Sequence, residues 1–135
     1  MVQLNALGRW LLLASAVSLL SAGLAFGVQR SEANERIISD PSDQLALFGY
    51  DPVAYLADGE ARRGLPAVET MYAGLVWRFA NEGNRQAFVD APEYFIPAYG
   101  GHSAYMMAQG AITAGHPDIW IRLGGRVLFF HTAAA

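Results

Sequence analysis

The sequence predicts an α+β fold, a small single domain with two antiparallel β-hairpins and three or four short helices. Three observations carry this reading. Two stretches alternate apolar and polar residues about glycine turns, the period of half-buried strands. Helix-start signals stand at Asp51-Pro52, Asn81 and Pro92. Strands and helices also segregate along the chain, which argues against an alternating parallel sheet.

The chain opens with an apolar leader. Arg9 and the terminal amine precede Trp10–Val28, a 19-residue run without charge. A cleavable signal has an apolar core of about 7–15 residues and a spanning helix needs roughly 20. Residues 1–27 therefore read as a signal peptide or an N-terminal membrane anchor. The small residues Ala22, Gly23 and Ala25 suit cleavage, and the Leu-rich start suits an anchor. On either reading the remainder is exported, periplasmic or anchored to the inner membrane facing the periplasm. Membrane contact is confined to the leader. Residues 28–44 are polar and read as a linker, 45–131 as the domain, and 132–135 as a tail.

Within the domain, the Asp51 carboxylate can accept orphan backbone N–H groups, and Pro52 has none to lose, so a short helix follows through Val53–Leu56. Residues 62–66 read as loop. Leu75, Trp77 and Phe79 share one face of a strand that turns back at Gly74 on Val68–Ala73. Asn81 caps a helix over Glu82–Asp90, and Pro92 opens a further turn. A helix is expected from about His102 to Gln109, ending at Gly110. Gly124-Gly125 permits the positive φ angles of a two-residue hairpin loop between Ile119–Leu123 and Arg126–Phe130.

Composition bounds the chemistry. The chain has 135 residues, a net charge of −3 and no cysteine, and all nine basic residues are arginines. The missing lysine excludes Schiff-base and P-loop chemistry. The absent cysteine excludes disulfides, iron–sulfur clusters and thiolate zinc sites. No basic run provides a footprint for nucleic acid.

Two glycines before a helix, Gly100-Gly101, can expose N–H groups to an anion or simply make a packing turn. At helical spacing His102 and Met106 share one face, and imidazole with thioether suits a copper ion, Cu(I) above all. His116 and His131 can complete such a site. Each of these residues also has an ordinary structural reading, as cap, core filler, loop or strand end. Residues 101–105 approach the G-x-S-x-G elbow, and Ser103, Asp118 and His131 follow hydrolase chain order. Tyr105 stands where the last glycine belongs, and the 108 residues after the leader are too few for that sheet. No catalytic residue is assigned. The tyrosines and tryptophans form core or line a ligand pocket, with Tyr50, Trp77 and Tyr99 the pocket candidates.

Residues 48–55 (Phe-Gly-Tyr-Asp-Pro-Val-Ala-Tyr), 77–79 (Trp-Arg-Phe), Asn84-Arg85, Phe88, 92–94 (Pro-Glu-Tyr) and 99–101 (Tyr-Gly-Gly) occur in this order. The pattern resembles the longer bacterial form of the YHS domain across residues 45–131. The resemblance implies a non-catalytic accessory or sensor that handles metal, copper especially, commonly through a cysteine after the Tyr-Gly-Gly block. Here His102 and Ser103 occupy that place. The candidate metal set is then His102, Met106, His116 and His131. The candidate ligand-binding set is Tyr50, Asp51, Trp77, Tyr99, Gly100, Gly101 and Ser103. The alternative is a module for a small ligand or protein partner with a degenerate metal site.

Overall fold

A computed structural model of the chain describes residues 37–133. The expected leader and residues 28–36 of the expected linker lie outside the described residues. Among those described, no helix is long and apolar enough to cross a membrane.

The fold is α+β. Strands β1 (Ser39–Asp40), β2 (Leu45–Ala46), β3 (Leu65–Tyr72) and β4 (Leu75–Phe79) form one sheet in the order β1-β2-β4-β3. Strands β5 (His116–Leu123) and β6 (Arg126–Phe130) form a separate hairpin. The helices are α1 (Ala54–Ala57), α2 (Glu82–Asp90), α3 (Pro92–Phe95) and α4 (Ala104–Ala108). All pairings are antiparallel except β2 with β4, joined in parallel at Leu45 and Val76.

Both hairpins turn on two residues with positive φ, Ala73-Gly74 and Gly124-Gly125. That is the geometry whose twist matches paired strands. Asn81 caps α2 as expected, its side chain accepting from the Asn84 N–H at 2.8 Å. Alternation decides burial. Trp77 and Phe79 of β4 and Val127 and Phe129 of β6 are buried and pack with Tyr55, Leu47 and Phe88. Phe88 centres an aromatic cluster, 4.8 Å from Trp77, 5.3 Å from Phe79 and 5.7 Å from Tyr72. Burying each of these large side chains contributes on the order of 1.5–3 kcal/mol.

The structure moves several expected boundaries; β5, for one, begins at His116 rather than at Ile119. Residues 39–40 are not linker: they pair with β2, and Ile38 is core at 4 % exposure. β3 begins at Leu65, inside the expected loop, because Leu65 pairs with Phe79 before a bulge that ends at Glu69. The helix expected from His102 begins only at Ala104. Gly100 and Gly101 belong instead to a left-handed turn with Tyr99, at φ 58, 61 and 86°. Leu47, Phe48 and Gly49 make a matching turn at 50, 53 and 84°. Each turn delivers an extended residue, Tyr50 and His102 respectively.

Candidate functional site

Tyr50 and Asp51 follow the first left-handed turn, and their side chains serve different places. Asp51 is fully buried. Its Oδ1 accepts from the Val53 and Ala54 N–H groups at 2.8 and 3.3 Å, and its Oδ2 from the Ala80 N–H and Asn84 Nδ2 at 2.8 and 2.7 Å. The carboxylate thus caps the first turn before α1 and ties it to the start of α2. Asp51 was a ligand-binding candidate; its four donors make it a structural tie instead.

Tyr50 lines a cleft of about 400 Å³ with Phe48, Arg63, His116, Asp118 and His131, and residues 114, 115 and 117 complete its lining. The Tyr50 hydroxyl donates to Asp118 Oδ2 at 3.0 Å. Loss of hydration, then the Asp118 hydrogen bond, raises its pKa and keeps it a donor. The Arg63 guanidinium lies over the Tyr50 ring, 4.8 Å from its centre. An irregularity in the β5–β6 register between His116 and Trp120 spans Asp118, and such bulges re-aim side chains. Pro117 there has no N–H to leave unpaired, and its carbonyl accepts from the buried Tyr55 hydroxyl at 3.0 Å.

The two cleft imidazoles are each held through Nδ1. The Asp118 backbone N–H donates to His116 Nδ1 at 3.2 Å. A backbone N–H can only donate, so the neutral His116 ring carries its proton on Nε2. His131 Nδ1 lies 3.3 Å from Ser103 Oγ. Ser103 is fully buried, which withholds its hydroxyl from solvent, and Asp118 is bonded to Tyr50.

The other candidates fall elsewhere. His102 precedes α4, which starts at Ala104, so its expected helical-face pairing with Met106 does not form. His102 is held in a backbone bridge to Ala114. Trp77 is fully buried and donates through Nε1 to the Tyr72 carbonyl at 3.0 Å. Tyr99 does not line the cleft. Gly100 and Gly101 are packing glycines: their carbonyls accept from the Ile38 and Gly115 N–H groups at 2.9 and 3.0 Å. A Cβ on Gly101 would meet Ile38 at 2.8 Å. Among the described residues, no three His, Asp or Glu side chains gather closely enough to hold a metal ion.

Sequence reasoning missed Arg63 and passed over Asp118 as a ligand-binding residue. A faint signal for Arg63 exists: Arg62 has Asp58 four residues before it and pairs with it, whereas Arg63 has Gly59 there. Comparison with protein-family models, curated proteins and solved structures finds no match to this chain.

Proposed function

We propose that this chain is an exported, non-catalytic binding module of the YHS type that takes a small ligand in the Tyr50–Arg63–His116–Asp118–His131 cleft. The observation that supports this reading is the cleft itself. Three separate stretches of chain bring a guanidinium, a carboxylate and two imidazoles to its walls, a few polar groups on an otherwise shaped recess.

The copper reading keeps one observation in its favour, that His116 and His131 line the same cleft. Ligation by His116 through either nitrogen works against the observed hydrogen bond, since Nδ1 already accepts and Nε2 holds the proton. The small-ligand reading leaves the hydrogen bond at His116 Nδ1 intact.

The deciding experiment is nuclear magnetic resonance of the labelled full chain, titrated in parallel with small polar metabolites and with Cu(I). Saturable shifts at Tyr50, His116 and Asp118 from an organic compound are expected. Stoichiometric Cu(I) binding that His102→Ala abolishes, with no organic compound moving the cleft signals, overturns the reading.

A further inference from the structure

Resting on the reading of the cleft as a ligand site, we propose that its ligand is a small zwitterion, with a carboxylate and an ammonium a few ångströms apart, as in a free amino acid. The cleft presents opposite charges that form no ion pair with each other within 4.0 Å. Arg63 stacks on the face of Tyr50, and Asp118 is held at that ring's hydroxyl. Arg63 forms no ion pair within 4.0 Å among the described residues, Asp118 included. Its neighbour Arg62 is occupied by Asp58 and Glu60.

The Arg63 guanidinium lies over the Tyr50 ring, and a guanidinium carries its N–H fork in its own plane, where it can meet a carboxylate with two parallel bonds. His116 adds a donor of the same kind, because its proton sits on Nε2. Asp118 supplies the complementary acceptor. Its side chain is 54 % exposed, and the Tyr50 hydroxyl is the one side-chain donor it takes among the described residues.

Simpler ligands fit less well. A bare anion on Arg63 meets the Asp118 charge, and a bare cation on Asp118 meets Arg63. An apolar ligand strips water from both charges and pairs with neither, and a neutral polar one can hydrogen-bond to both without cancelling either charge. A molecule with both signs pairs each wall with its opposite charge. The volume of about 400 Å³ limits it to a small one.

The test titrates the full chain with glycine and γ-aminobutyrate as zwitterions, acetate as anion and methylammonium as cation, following the cleft resonances. At least one zwitterion is expected to bind about tenfold or more tightly than acetate or methylammonium. Arg63→Gln and Asp118→Asn should each weaken it by about tenfold or more, and Asp118→Asn should bind acetate more tightly than the parent does. Unchanged melting confirms that both variants fold. Acetate binding as well as either zwitterion, or zwitterion binding untouched by Asp118→Asn, overturns the zwitterion while leaving the cleft as a ligand site. Failure of all four probes to shift the cleft overturns the zwitterion as well, and organic ligands found in the wider metabolite titration then decide whether the cleft binds anything else.

Discussion

Asp51 and Asp118 are both carboxylates bound to the Tyr50-Asp51 dipeptide, one by belonging to it and one through the Tyr50 hydroxyl. They have opposite fates. Asp51 is fully buried and meets four N–H donors from three stretches of chain. Asp118 is half exposed and takes one phenol. A buried carboxylate is tolerable only when its oxygens are satisfied, and one that is so satisfied has little left for a ligand. The adjacent residues Tyr50 and Asp51 therefore divide the molecule into a tied core and an open cleft.

The largest expected effect tests that division directly. Asp51→Ala leaves two backbone N–H groups at the start of α1, one at Ala80 and the Asn84 amide without their acceptor. With a cost of about 1–3 kcal/mol per buried unmet group, urea denaturation should show a loss of at least about 3 kcal/mol. Asp118→Asn should cost less than about 1 kcal/mol, as exposed polar substitutions do. Equal losses in the two variants would erase the distinction between tie and site.

Gly115 lies on the seam between the two regions. It lines the cleft, yet an added Cβ would stand 2.4 Å from Phe129 Cβ and 2.6 Å from the Gly101 carbonyl oxygen. Gly115→Ala should cost about 2 kcal/mol through overpacking, seen as a lowered melting temperature. Its shifted resonances should include both cleft residues and Phe129. A change confined to the cleft would show that the wall moves independently of the core.

Much of this architecture was legible because its signals are local. Asn81 before Glu82–Asp90, the Gly124-Gly125 loop and the alternation of Trp77 and Phe79 each act within a few residues, and each formed where expected. The left-handed turns were hidden, because Leu47, Phe48 and Tyr99 are side chains that ordinarily avoid positive φ. The cleft was hidden for a different reason. Tyr50 meets Asp118 across 68 positions, and Ser103 meets His131 across 28; no periodicity encodes such meetings. His102 with Met106 looked like a site only on the assumption of a helix that begins two residues later than supposed.

Alkaline titration separates the regions through their tyrosines. Burial, then the charges of Tyr50, Asp118 and Asp51, pushes Tyr55 far above the ordinary 10.0. Above pH 10 the unfolded chain releases that proton and the folded chain keeps it, so the folded state binds more protons and loses stability as pH rises. Below pH 10 the contribution is intact. The slope should approach about 1.4 kcal/mol per pH unit for this one group, and Tyr55→Phe should remove it. Tyr50 on the cleft side is also raised, first by burial and then by Asp118. Its spectrophotometric midpoint should fall in Asp118→Asn, while that of Tyr55 moves less.

The smallest effect is the Tyr50–Asp118 bond itself. A hydrogen bond to a charged acceptor contributes up to about 1.5–3 kcal/mol when buried, but solvent around a half-exposed carboxylate screens it. A double-mutant cycle of Tyr50→Phe and Asp118→Asn should return a coupling of about 0.5–1 kcal/mol. The corresponding cycle at the tie, Asp51→Asn with Asn84→Ala, should return a larger value, because Asp51 is fully buried and its bond to Asn84 is screened less. A cleft coupling equal to the core value would mean that Asp118 is held as firmly as Asp51. The carboxylate would then be part of the frame rather than a group left open for a ligand.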